Sequence, residues 1–169
     1  MSYNIKNELL IRKKLEQITP FNIEFNQNYS DKYGYDLECY KHVENNSTEG
    51  YEKKFMCFIE VEYGKTWIDF DLPVKWEVSF LQRKVREYNY DSKKYENKLK
   101  DNGNKTIYLK VNSDLTNCYF NKIDFIYRNG LQSKRNQGNR LDSFLVLERN
   151  QVNFGWEKLK NYIVNYCNN

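Results

Sequence analysis

The chain has 169 residues, 40% of them apolar and 17% aromatic, and a formal net charge of +4. That is enough apolar material for one domain with a real core, too little length for two ordinary ones, and too much ring and aliphatic surface for a chain disordered throughout. One histidine, His42, and four cysteines with no CxxC pair argue against a zinc finger, a compact disulfide framework and a histidine-based nucleophilic triad.

Residues 1–14 scatter charges among apolar positions rather than forming a secretory signal, and the longest apolar run, Phe55 to Ile59, is far short of a bilayer span. A soluble, intracellular, cytoplasmic protein with no membrane partner is expected. Residues 4–18 place Ile5, Leu9, Leu10, Leu15 and Ile18 near helical spacing before Pro20, which predicts a first helix. "FNIEFN" (21–26) alternates in the manner of a half-buried strand, and "YGYDLECYKHV" (33–43) predicts the next. "VENNSTEGYEKK" reads as a loose turn leading into the strand "FMCFIEVEYG" (55–64), so the two strands form a hairpin.

Beyond Pro73, the spacing of Val78, Leu81, Val85 and Tyr88 predicts a second helix that turns Gln82, Arg83 and Arg86 away from its apolar stripe. "DSKKYENKLKDNGN" (91–104) reads as a charged connection, "KTIYLKV" (105–111) and "CYFNKIDFIYR" (118–128) as strands, and "NGLQSKRNQGN" (129–139) as a mobile loop. "SFLVLER" (143–149) is a last strand, and 156–166 a last helix. There is neither an internal repeat nor an interior linker. The expected fold is a single α/β (α+β) domain over 1–169, with a central mixed sheet flanked by helices.

Charge is segregated along the chain. Residues 31–62 hold eight acidic and four basic side chains, whereas residues 75–100 hold eight basic and four acidic ones. In a strand, Glu60 and Glu62 project to one side while Ile59 and Val61 face the other. Two carboxylates about 5 Å apart repel by roughly 3 kcal/mol at an effective dielectric near 20, and Asp36 on the adjacent strand adds to this. A divalent cation such as Mg²⁺ or Mn²⁺ turns that repulsion into attraction, because it prefers oxygen ligands. The plain alternative is a solvated sheet face with Glu60 and Glu62 paired to Lys53 or Lys54. Asp69 and Asp71 in "WIDFDLP" form a second same-face pair, where turn roles suit Asp better than metal binding. Trp67, Trp76 and Trp156 are expected in the core rather than as platforms for stacked bases.

The order of these features resembles the PD-(D/E)xK nuclease superfamily, the restriction-endonuclease-like fold. Its members share a helix, a strand bearing Asp, a strand bearing (D/E)xK, a helix and a further strand. The likeness spans roughly Glu8 to Val111. It implies that Asp36 in "GYDL" and Glu60 in "FIEVE" are catalytic and metal-binding, with Glu8 as a further metal carboxylate. Glu62 stands at the family's Lys position, giving an E-x-E variant in which Glu62 acts as a base or ligand. Gln82, in "QRKVREY", falls where several members carry a polar helix residue.

On this reading the chain is a metal-dependent endonuclease hydrolysing DNA. Gln82, Arg83, Lys84 and Arg86 would position the backbone, and Lys134, Arg135 and Arg140 would act as a flexible clamp. The alternatives are a catalytically inactive module of the same fold that binds nucleic acid or a protein, and an interaction protein with no nucleic-acid role. DNA is the expected partner, with a homodimer as a further option. The richness in Asn, Lys and Tyr suggests an AT-rich coding genome, viral, phage or bacterial.

Overall fold

The computed structural model describes residues 3–26, 36–45, 50–97, 105–137 and 140–166. The chain begins with α1 (Tyr3–Ile18), β1 (Asn22–Phe25), β2 (Leu37–Asn45) and β3 (Gly50–Gly64). It continues through β4 (Val78–Leu81), the single turn α2 (Gln82–Val85), β5 (Arg86–Asn89) and β6 (Lys94–Asn97) to β7 (Thr106–Asn112) and β8 (Cys118–Lys122). Then come α3 (Ile123–Asn129), β9 (Leu131–Gln137), β10 (Arg140–Leu147), a 3₁₀ turn (Arg149–Gln151), β11 (Asn153–Phe154) and α4 (Trp156–Tyr166).

The fold is α+β around a central six-stranded mixed sheet in the order β1-β2-β3-β7-β8-β11. Its neighbours run antiparallel except β3 and β7, which are parallel. Strand alternation gives this sheet two buried faces. On one, Cys57, Ile59 and Val61 of β3 and Ile107, Leu109 and Val111 of β7 meet Ile11 and Leu15 of α1 and Leu159 and Ile163 of α4. Each such aliphatic side chain, fully buried, contributes about 1.5–3 kcal/mol. On the other, Tyr108 and Tyr119 pack under Phe80, Val85, Ile123, Ile126 and Leu145, which come from α2, α3 and a second, three-stranded sheet ordered β4-β10-β9. That second layer covers the face on which Glu60 and Glu62 stand.

The first and last helices, β1 and the β2–β3 hairpin lie where periodicity places them, although β3 starts five residues before the expected 55, inside the segment read as a turn. Elsewhere tertiary pairing overrides the local pattern. The expected helix after Pro73 is one turn, because Val78–Leu81 pairs with Phe144–Leu147 of β10, and Arg86–Asn89 pairs with Lys94–Asn97, inside the segment read as a charged connection. The strand read over 118–128 breaks after Lys122. Ile123 and Ile126, three apart, turn into one core, and Asp124 and Arg128 form an i,i+4 pair at 3.1 Å. Gly130 ends that helix where a Cβ would come within 2.8 Å of Leu145 Cβ, so only glycine lets α3 seat against β10.

The segment read as a mobile loop is the edge strand β9, paired along its length with β10. Its polar, charged side chains hide the strand from a periodicity argument and suit an unpaired sheet edge. No helix among the described residues is long and apolar enough to cross a membrane.

Candidate active site

The pairing of β3 with β7 sets Glu60 beside Tyr108 and Glu62 beside Lys110. Only 4% of Glu60 is exposed, so the solvated-face alternative does not hold, and Lys53 pairs with Glu24 instead. Asp36 lies one residue before β2. Its Oδ2 accepts the Val61 N–H at 2.7 Å, which fastens the carboxylate near the C-terminal end of β3. Lys84, on the single turn α2, sends its ammonium into the same place. Nζ lies 2.6 Å from Glu60 Oε1, 3.2 Å from Asp36 Oδ2 and 2.6 Å from the Val61 carbonyl oxygen. Three oxygens, one from just ahead of β2 and two from β3, thus converge on one cation.

Burial alone would lower the Lys84 pKa, but the charges of Glu60 and then Asp36 outweigh it and hold the ammonium protonated well above the ordinary range. Glu62 forms a separate pair. Its Oε1 lies 2.7 Å from Lys110 Nζ, and its Oε2 accepts the Tyr108 hydroxyl at 2.5 Å. Lys110 is likewise pushed down by burial and pushed up further by Tyr119 and Glu62, so it too stays charged. The Tyr108 hydroxyl is raised by burial and then by Glu62, which keeps it a proton donor.

Two hollows open beside these pairs. A small one of about 180 Å³ is walled by Glu8, Val61, Glu62, Arg83 and Lys84 among others, and a larger cleft of about 940 Å³ adjoins it. Glu8 is half-buried on α1 at the small hollow. Among the described residues no group of three or more His, Cys, Asp or Glu side chains gathers as a metal site, and the third oxygen beside Asp36 and Glu60 is a backbone carbonyl. Two carboxylates and a carbonyl are nonetheless the hard oxygen set that Mg²⁺ or Mn²⁺ takes, and the Lys84 ammonium marks the point they share.

The residues expected to touch nucleic acid are scattered by the loss of the second helix. Gln82 is buried, with its Oε1 3.4 Å from Arg86 Nη2, and Arg86 opens β5. Arg83 is exposed, 4.0 Å from Asp142 Oδ1, and Lys84 points inward at the carboxylates rather than outward. Lys134 and Arg135 stand on β9 and Arg140 opens β10, so the expected flexible clamp is part of a sheet. Arg135 is bound to Glu77 and lies 3.4 Å from Ser79 Oγ.

Asp69 and Asp71 are exposed on the loop between β3 and β4. Lys110 and Tyr108 did not emerge as site residues from sequence. Their signal was a lysine and a tyrosine alternating with Ile107, Leu109 and Val111 in a strand buried on both faces.

No protein-family model matches the chain, and no curated protein matches it. A solved structure described as a nuclease from a fusselovirus is similar over 97% of this chain and 90% of that chain, at 12% identity and a TM-score of 0.45. A likeness that loose carries neither residues nor activity across.

Proposed function

We propose that the chain is a metal-dependent nuclease hydrolysing phosphodiester bonds in DNA, a restriction-endonuclease-like enzyme of the PD-(D/E)xK kind with its lysine supplied from α2. The observation that carries this reading is the convergence of Asp36 Oδ2, Glu60 Oε1 and the Val61 carbonyl on one cation. Mg²⁺ or Mn²⁺ held there would supply Lewis-acid polarisation of the phosphodiester and ease ionisation of the attacking water. Asp36 and Glu60 provide the negative charge that would attract a cation to this point, and the Val61 N–H keeps Asp36 from turning away. Lys84 brings the positive charge that the E-x-E spacing lacks, beside the carboxylates on which the family's lysine acts. Glu62 has both oxygens engaged, by Lys110 and by Tyr108, so in this reading it orders that pair and leaves contact with substrate to its neighbours.

The test is cleavage of labelled single- and double-stranded oligonucleotides with Mg²⁺ or Mn²⁺, comparing wild type with Glu60→Gln and Asp36→Asn. Metal-dependent cleavage that both substitutions abolish is the expected result. Cleavage that survives Glu60→Gln unchanged would remove the site from the chemistry.

A second reading rests on the same contact. The Lys84 ammonium already satisfies both carboxylates, as it would in a module of this fold that binds nucleic acid or a protein without cutting. Mn²⁺ calorimetry separates the two, since that module takes up no metal.

A further inference from the structure

The larger cleft is built from parts that a duplex backbone would not use. Its wall holds five basic and three acidic side chains, and each carboxylate has a basic partner: Glu62 with Lys110, Glu77 with Arg135, Asp142 with Arg83. Lys75, exposed, adds positive charge beyond those pairs, and Lys65 stands exposed on the same wall. The same wall carries Tyr63, Trp67 and Trp76. Trp67 is core, 2% exposed, and stacks on Tyr119 with ring centroids 5.4 Å apart. Trp76 differs. It lines the cleft and keeps 36% of its surface exposed, against the expectation that the tryptophans belong to the core.

Trp76 is also held in place from behind. One guanidinium nitrogen of Arg149 donates to the carbonyls of Leu72, at 2.9 Å, Pro73 and Trp76, at 3.4 Å. Asn117 Nδ2 donates to the Phe70 carbonyl at 2.7 Å, and the Ser113 N–H to that of Trp67 at 2.8 Å. The loop bearing Lys75 and Trp76 is therefore a fixed wall, already ordered before any ligand arrives. The cleft shares Glu62, Tyr63, Lys65, Leu81 and Arg83 with the small hollow that Lys84 lines, so a strand lying in it passes beside the lysine that pairs with Asp36 and Glu60.

We infer that this cleft seats single-stranded DNA, with Trp76 stacking on an unpaired base while Lys75 and Arg83 take the flanking phosphates. An exposed ring and cations on one wall serve an unpaired strand, whose bases offer their faces. They serve a duplex poorly, because its base faces are covered by neighbouring pairs and only phosphates and groove edges are presented. The volume of about 940 Å³ falls at the upper end of the ~300–1,000 Å³ that holds a drug-sized ligand, so a nucleotide fits with room for its neighbours. The inference names the substrate class of the proposed nuclease and rests on that reading for its chemistry, but the cleft can be tested without any cleavage.

The experiment is fluorescence anisotropy in EDTA, where no cutting occurs, with a labelled single strand and a blunt hairpin duplex of matched composition. Wild type is expected to bind the single strand at least about tenfold more tightly. Trp76→Ala should lose about tenfold of that affinity, Trp76→Phe should keep most of it, and Lys75→Glu should weaken it with no effect on folding. Duplex bound as tightly as single strand, or single-strand affinity indifferent to Trp76→Ala, would overturn the inference while leaving metal-dependent cleavage untouched. Single-strand binding that persists in a protein that never cleaves would sink the nuclease reading alone.

Discussion

Two lysine–carboxylate pairs stand side by side on one face of the central sheet, and they are built differently. Lys110 meets Glu62 directly across the β3–β7 pairing, with the Tyr108 hydroxyl on the other carboxylate oxygen and the Tyr119 ring 5.9 Å from the ammonium. Lys110 Nζ also lies 3.4 Å from the Ser79 carbonyl oxygen, so this ammonium has one carboxylate, one backbone carbonyl and an aromatic neighbour. Lys84 reaches in from a different layer and meets Asp36, Glu60 and a backbone carbonyl. Its partners among the described residues are oxygens, two of them carboxylate, and a hard divalent cation takes the same set. The first pair ties the sheet together, whereas the second gathers two carboxylates around one ammonium, the arrangement on which the proposed cation site rests. Position on the sheet does not separate them; the number of carboxylates on the ammonium does, two on Lys84 and one on Lys110.

The largest expected effect breaks the second pair at its anionic side. Glu60→Gln removes several kcal/mol of transition-state stabilisation, a loss of at least about 100-fold in cleavage rate at ~1.4 kcal/mol per decade. Glu62→Gln should cost stability while leaving Mn²⁺ affinity within about threefold of wild type. An equal loss of metal binding in both would erase the distinction between the pairs.

Breaking the same pair at its cationic side comes next. Lys84→Met leaves Glu60 buried without its ammonium and should cost roughly 2–4 kcal/mol, below the top of the buried-pair range because 22% of the Lys84 side chain is exposed. Thermal melts with Mn²⁺ should recover much of that loss, because a ligand that binds only the folded state stabilises it. Lys110→Met should lose stability that Mn²⁺ does not restore.

A smaller effect concerns pH. Both lysines have folded pKa values held above their ordinary 10.5. Their contribution is therefore complete below that value and disappears as pH rises through the raised ones. Tyr108 and Tyr119, raised chiefly by burial, act in the same direction, since their neutral forms are favoured in the fold. The urea midpoint should show no loss from these groups between pH 7 and about 10 and should fall above that, less steeply in a Lys84→Met, Lys110→Met double variant. The smallest effect belongs to Arg83→Ala, whose contact with Asp142 is long and exposed and contributes at most about 1 kcal/mol to stability.

The parity of Glu60 and Glu62 and the outer helices were legible in the sequence because each rests on a local period. What was not legible came from pairing between distant segments. Val78–Leu81 has spacing compatible with a helix, yet β10 offers Phe144–Leu147 as a partner, and strand pairing wins. As a result Lys84 could be seen as one of several basic residues but not as the cation among the carboxylates. Its direction depends on a single turn at the end of β4. The β9 strand escaped for a related reason, since its backbone pairs while its side chains carry no apolar alternation. Lys110 and Tyr108 needed the register between β3 and β7, which no window along one strand contains.

Calorimetric titration with Mn²⁺ of wild type, Lys84→Met and Glu60→Gln tests the central claim most directly. The cation site predicts one Mn²⁺ per chain in wild type, binding about tenfold or more tighter once Lys84 no longer competes, and none in Glu60→Gln. No Mn²⁺ uptake by wild type or by Lys84→Met would contradict it.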